Sequence, residues 1–405
     1  MTTLTKEAEA VEAEAVEVES VESVEVESVK VVGVATLLEF TVTVKELNHA
    51  IAQCIRAVPS RAIHPILVNL LLVVSDDSLT LTGYDLALGI QITIPAAVRE
   101  SGAVTLPAKL LADIVSRLPE GDLHIIIDTD MIATLQSESG RYTLRALESS
   151  EYPDLITVSG DVVELPVAEL RQALQMVLFS VSNDETKQLL TGVNLVLTAD
   201  GYNLAATDGH RLAVSRVLSD VGCDPAEVTL PGKALDVLLR LLPKNDQGSV
   251  QMVLERSLAT IKCGNTTLNI RALEGQYPNY NQLIPTQFAH ELVIDRQMLL
   301  TSLERIAVLA DLRNNTVKFE LMEAQELVLA VDAADVGSGR EVMSAQIKGN
   351  GLVIVFRAKY VLDALKAIST KEVVLNFNTP TSPGIFKPLG GVNSLGMIMP
   401  VQLRD

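Results

Sequence analysis

Two periodicities alternate along this chain. In "VTVKELNHAIAQCIRAV", Leu47, Ile51, Ile55 and Val58 recur at helical spacing, with Lys45, Asn48 and Arg56 on the opposite side. The pattern predicts a helix entered from a short alternating strand. Period-two stretches follow: "NLLLVVS" (69–75), "SLTLTGY" (78–84) and "LGIQITIP" (88–95) read as strands. "VTLPAKLLADIVSRLP" (104–119) then turns from strand into a second helix. Its expected core side is Leu110, Leu111, Ile114, Val115 and Leu118, and its free side carries Lys109 and Arg117. "LHIIIDT", "MIATLQS" and "RYTLRAL" close the unit as further strands.

The same plan returns twice. "VTLPAKLLADIVSRLP" reappears as "VTLPGKALDVLLRLLP" (228–243) and, more faintly, as "IVFRAKYVLDALKAI" (354–368). "RALESSEYPDL" (145–155) returns as "RALEGQYPNY" (271–280), and "VTVKELNHAI" as "ELPVAELRQAL" and "LVIDRQMLLTSL". Three copies of roughly 120 residues follow from this period. Two helices and about eight strands per copy predict an α+β fold, with both helices on one face of antiparallel sheet. The expected units are 37–158, 162–286 and 290–405. Residues 1–36 stand outside the repeat. There Glu, Val, Ala and Ser nearly alternate, with nine Glu against two Lys in residues 1–30, and a disordered acidic extension is expected.

Composition narrows the picture. Hydrophobic residues make up 48% of the chain but aromatics only 3%, with no Trp, so the cores are expected to be aliphatic. No apolar run approaches the ~18–20 residues that span a bilayer, and the N-terminus lacks the order of a signal peptide. A soluble, cytoplasmic protein with no membrane role is expected. Cys54, Cys223 and Cys263 are far apart, and the five His (His49, His64, His124, His210, His290) are scattered. Neither a metal nor a cofactor is expected.

The net charge is −19, yet basic residues recur where the helices turn away from their cores. The first helices carry Lys45 and Arg56, then Arg171, then Arg296 and Arg305. The second helices carry Lys109 and Arg117, Lys233 and Arg240, Lys359 and Lys366. The loops after the first helices add Arg61, Lys187 and Arg313. Recurrence at equivalent positions points to a shared electrostatic surface. Three such units in a row can form an arc lined by helices. Edge strands at its ends can pair with a second copy, closing a ring that holds duplex DNA by topology.

"AATDGHRLAVS" (205–215) sets Asp208, His210 and Arg211 together, as an active site would. No motif that would supply a nucleophile, metal or phosphate loop accompanies them. Asp85 occupies the equivalent turn of the first copy, which suggests that Asp208 braces the chain. A structural turn beside a docking surface is expected, with Thr207, His210, Arg211 and Leu212 facing a partner's peptide.

"ATDGHRLA", the "EYPDL" and "QYPNY" turns, the "TLPAK" and "LPGK" helix starts and the terminal "MIMPVQLRD" occur in an order that resembles the bacterial DNA polymerase III beta subunit family, the replicative sliding clamps. The similarity runs from about Phe40 to Leu403. It implies a non-catalytic accessory subunit of DNA-directed DNA polymerase, made of three clamp domains and closing into a ring as a head-to-tail homodimer. It implies duplex DNA, encircled without regard to sequence, as one partner. The polymerase III alpha subunit, the clamp loader, repair polymerases and mismatch-repair proteins are the others. The implied peptide cleft is Leu190, Thr207, Gly209, His210, Arg211, Leu212, Pro278, Gln282, Leu283, Met397, Ile398, Met399, Pro400, Val401 and Leu403. Tyr142 and Leu144 are the implied dimer contacts with the partner's Val308 and Leu309. Arg61, Lys187 and Lys233 match DNA-facing positions. Gln282 and Gln402 stand where some relatives carry Arg, and Asp184 where some carry a neutral residue. Two other classes compete: an enzyme on a repeated scaffold, and a repeat scaffold that binds only proteins. Retention on circular but not linear DNA discriminates the clamp from both.

Overall fold

The computed structural model describes residues 36–61, 64–156, 158, 160–219, 224–255, 257–310, 315–333, 337–391 and 393–402. The acidic extension before Thr36, Cys223, Arg313 and Leu403 lie outside the described residues.

The first unit runs β1 (Thr36–Thr43), α1 (Val44–Cys54), β2 (Asn69–Ser75), β3 (Ser78–Tyr84), β4 (Leu88–Pro95), β5 (Ala97–Glu100), β6 (Gly102–Pro107), α2 (Ala108–Val115), β7 (Asp122–Asp128), β8 (Ile132–Ser137), β9 (Gly140–Arg145) and β10 (Leu147–Glu148). The second runs β11 (Val163–Pro166), α3 (Val167–Leu178), β12 (Gly192–Thr198), β13 (Gly201–Thr207), β14 (Arg211–Leu218), β15 (Ala226–Pro231), α4 (Gly232–Leu241), β16 (Ser249–Leu254), β17 (Leu258–Cys263) and β18 (Thr266–Arg271). The third runs β19 (His290–Asp295), α5 (Arg296–Ala307), β20 (Thr316–Met322), β21 (Glu326–Ala333), β22 (Gly337–Ser344), β23 (Gln346–Lys348), β24 (Leu352–Arg357), α6 (Ala358–Ala367), β25 (Glu372–Phe377), β26 (Gly384–Pro388) and β27 (Asn393–Ile398). Each helix begins directly where a strand ends. Thr43 and Asp295 cap α1 and α5 by accepting from Glu46 N (3.3 Å) and Met298 N (2.8 Å), and Pro precedes α2, α3 and α4.

The described strands form four sheets, and every pairing is antiparallel. Two of the sheets cross unit boundaries. One nine-stranded sheet is ordered β10-β6-β2-β3-β4-β18-β17-β16-β11, so β4 and β18 join units one and two. The other is ordered β15-β12-β13-β14-β27-β26-β25-β19-β23, so β14 and β27 join units two and three. A five-stranded sheet (β5-β1-β7-β8-β9) lies within unit one and a four-stranded sheet (β22-β21-β20-β24) within unit three.

One continuous core fills units one and two. It is largely aliphatic, as the composition suggests, with Phe40 and Tyr202 among its members. The third unit departs from that expectation. Phe319, Phe356, Phe377 and Phe386 gather in its core with ring centroids 5.6–6.3 Å apart, so four of the seven Phe serve one unit. Leu110 is a second departure. It was expected on the core side of α2, but it is 54% exposed. The buried line of this eight-residue helix is Ala108, Leu111 and Val115, and Leu110 falls outside it.

Candidate docking cleft and basic face

The turn between β13 and β14 organises the cleft. Gly209 adopts φ +91°, a left-handed conformation that costs glycine little. Asp208 Oδ1 accepts from His210 N (2.8 Å) and Arg211 N (3.0 Å). In the first unit Asp85 Oδ1 accepts from Ala87 N (2.9 Å) and Leu88 N (2.6 Å), the same brace. Thr207 Oγ1 donates to Arg211 O (2.6 Å), and its backbone N donates to the Tyr277 hydroxyl (3.1 Å). Burial pushes the Tyr277 phenol up to about 12.

Around this turn an apolar cluster joins Ala205, Leu212, Val214, Tyr277, Tyr280, Ile385 and Met397, with Leu190 packed against it. These residues come from units two and three. The chain after β27 runs along the rim, where Met399 N donates to His210 O (2.9 Å) and Val401 N to Val355 O (2.8 Å). Leu283 is 59% and Met399 41% exposed, so both offer apolar surface to solvent. Pro278, Gly209, Gln282 and His210 are exposed beside them, and Pro400 and Val401 are half-buried. Leu212, Met397 and Ile398 are buried and lie beneath this surface.

Arg211 does not face outward as expected. Its side chain is 8% exposed. Nε donates to Asp208 Oδ2 (2.9 Å) and one terminal nitrogen to Asp363 Oδ2 on α6 (2.7 Å). The guanidinium carbon lies 4.5 Å from the Tyr360 ring centre and 5.5 Å from that of Phe179. The cation bolts unit two to unit three because two carboxylates and two rings surround it. Tyr360, which sequence reasoning missed, also stacks on the His210 ring (6.5 Å between centroids). In this arrangement Asp208 is bonded to the turn and to Arg211.

The basic face is mixed. Lys45, Arg56, Arg61, Lys109, Lys187 and Lys359 are exposed and, among the described residues, have no carboxylate in ion-pair range. Arg240 pairs along α4 with Asp236 (2.9 Å), and Arg117, which falls two residues past the end of α2 and not on it as expected, reaches back to Asp113 (3.2 Å). Lys233 approaches Glu185 (3.6 Å) and Lys366 binds Glu304 (2.9 Å). These exposed pairs are weak and open to exchange with phosphate. Arg171 and Arg296 depart from expectation. Arg171 donates to Leu239 O, Leu242 O and Pro243 O and pairs with Asp246 (2.5 Å), at the C-terminal end of α4. Arg296 donates to Leu365 O (3.3 Å) and Thr370 O (3.1 Å), at the end of α6. Carbonyls past the helix ends and the negative end of each helix dipole draw these cations inward. Asp184 closes its own loop, where hydrogen bonds from Thr186 hold its carboxyl below the usual range.

Tyr142 on edge strand β9 is 39% exposed, and Val308 just after α5 is 78% exposed. Leu144 is buried within its own unit, and Leu309 is half-buried beside Gly339 of edge strand β22.

Three family models match in sequence order. They are the DNA polymerase III beta subunit N-terminal domain over residues 38–156, its central domain over 164–279 and its C-terminal domain over 281–402. The chain belongs to the DNA polymerase III beta subunit family. It is similar to the beta sliding clamp of Synechococcus elongatus, at 44% identity over 89% of this chain and 98% of that one. The Bacillus subtilis beta sliding clamp is 29% identical over 90% of this chain and all (100%) of that one. Among solved structures, the sliding clamp from Bacillus subtilis superposes with a TM-score of 0.87 at 28% identity, over 91% and 100% of the two chains. A sliding clamp from Pseudomonas aeruginosa, solved bound to griselimycin, gives 0.86 at 26% identity, over 90% and 100%. As a member of this family the chain is an accessory subunit that confers processivity in DNA replication and is not itself catalytic. Among the described residues no helix is long and apolar enough to cross a membrane.

Proposed function

We propose that two copies of the chain close head to tail into a ring around duplex DNA. The ring then holds the polymerase III alpha subunit, the clamp loader and repair proteins by peptides docked between units two and three. Strand pairing carries this reading. At both internal seams, the strand after the Asp-braced turn of one unit (β4, then β14) pairs with the last long strand of the next (β18, then β27). Two strands of these types are left open: β22 of the third unit and β9 of the first. Joining the five- and four-stranded sheets across two copies would make a third nine-stranded sheet, matching the other two. Carried over, the internal register sets Tyr142 opposite the partner's Gly339. That position has no room for a side chain of its own, because Leu309 and Ile306 fill the space where a Cβ would stand, and the ring would pack against them.

The exposed lysines and arginines on the helices support weak phosphate contacts that permit sliding. Loaded onto nicked circular DNA, the clamp is expected to stay bound at moderate salt and to leave when the circle is linearised. Equal retention on both forms overturns encirclement. Removing 399–405 is expected to abolish peptide docking and preserve the dimer, so polymerase binding by the truncated chain would overturn the cleft.

A further inference from the structure

Resting on the docking reading, we propose that Arg357 is a specificity-determining residue of the cleft, pairing with an acidic side chain of the docked peptide. Arg357 ends β24 immediately before α6, and its side chain is exposed. Tyr360 holds the guanidinium at the rim. Nη1 donates to the Tyr360 hydroxyl (3.3 Å), and the guanidinium carbon is 5.6 Å from the ring centre. The same ring stacks on His210, and Val355, two residues before Arg357, binds Val401 of the rim. Arg357 therefore borders the surface formed by His210, Met399 and Val401.

Its charge is left over for a ligand. The neighbouring carboxylates, Asp208 and Asp363, both bind Arg211. Among the described residues, no carboxylate lies in ion-pair range of Arg357. Lys359 is exposed two residues on. The first turn of α6 contains no acidic residue and its end has no side-chain cap, so the helix dipole adds to the positive field. The rim positions 282 and 402 are both Gln, and of the two cations on the Tyr360 ring Arg211 is buried and paired, which leaves Arg357 as the exposed one. A peptide lying over Leu283 and Met399 would bring its flanking side chains into this field.

The test uses fluorescein-labelled nonapeptides with two apolar anchor side chains, matched to the apolar surface of Leu283 and Met399, each made in an Asp and an Asn version. Fluorescence anisotropy against the intact dimer reads their affinities. The unaltered clamp is expected to prefer the Asp version by about 3- to 10-fold at low ionic strength, with the gap closing as salt screens it. Arg357→Gln is expected to bind both versions alike, at the affinity of the unaltered clamp for the Asn peptide. Arg357→Lys is expected to restore most of the preference. Equal binding of both versions by the unaltered clamp, or a preference that survives Arg357→Gln, overturns the proposal. Failure of the unaltered clamp to bind either peptide overturns the docking reading instead.

Discussion

The two seams inside the chain share one strand plan and differ in what closes them. At the first, β4 meets β18 from Leu88–Ile270 to Ile92–Thr266, and the repeat sets Leu88 and Val237 where the second seam has Arg211 and Asp363. At the second, β14 meets β27 from Arg211–Ile398 to Arg216–Asn393, and the Arg211 bolt crosses it. Their turns differ too. Leu86 sits at φ +75° where the second unit has Gly209 at +91°, so the first turn accepts strain to place a packed leucine. The contrast follows from exposure. Exposed apolar residues such as Leu283 and Met399 contribute little to holding two units together. A buried, fully paired cation closes the seam beneath them without covering them.

Breaking the bolt is the largest test of this contrast. Arg211→Ala leaves Asp208 and Asp363 without their shared cation and is expected to cost about 3–5 kcal/mol in urea unfolding. Leu88→Ala is expected to cost about 2–3 kcal/mol. Copying the first seam with Arg211→Leu and Asp363→Val together is expected to recover most of the loss, because apolar replacement of a buried pair is often close to neutral. If Arg211→Ala proved milder than Leu88→Ala, the second seam would be held by packing like the first.

The seam between copies comes next. Tyr142→Arg is expected to weaken the dimer by about 100-fold in sedimentation equilibrium, since one central aromatic often carries about 2–4 kcal/mol of an interface. An unchanged dimer would remove Tyr142 from the contact.

Within the basic face, Arg171→Ala is expected to lose about 1–3 kcal/mol of stability through the unsatisfied carbonyls of α4. Lys109→Ala should stay within about 0.5 kcal/mol of the parent but reduce the salt slope of DNA binding by about one. The reverse pattern would exchange their roles.

The smallest effect concerns the buried phenols on either side of the contrast. Burial raises Tyr152 and Tyr277 above the usual tyrosine value, Tyr277 to about 12. A raised folded-state value means that the neutral phenol is favoured in the fold. Its stabilisation is fully present below pH about 10 and is lost as pH rises toward 12. Tyr277→Phe is expected to flatten the alkaline loss of stability between pH 10 and 12. An unchanged alkaline limb would show that Tyr277 is not its source.

Much of this was legible because each repeat states its own periodicity. The strands expected at 69–75, 78–84 and 88–95 are β2, β3 and β4 residue for residue. Asp85 and Asp208 brace equivalent turns because such a turn is closed by a side chain two or three residues from its partners. The misplacements are long-range. Arg171 and Arg296 lie on helices where a surface cation belongs, but the carbonyls that draw them in lie about 70 residues away in sequence. Arg211 reaches a carboxylate 152 positions on. Tyr360 carried no signal of its own, since one tyrosine on a helix gives no sign of which unit it will touch.

The sequence by itself determined the elements, their threefold recurrence, the family and the braced turns, because hydrophobic periodicity and short-range hydrogen bonds are written within a few residues. The tertiary structure decided where the long cationic side chains go, which strand edges stay open, and that Arg357 rather than Arg211 stands at the rim. Those outcomes depend on which carboxylates, carbonyls and rings arrive from distant segments, and a flexible guanidinium settles wherever burial leaves the strongest unpaired partner.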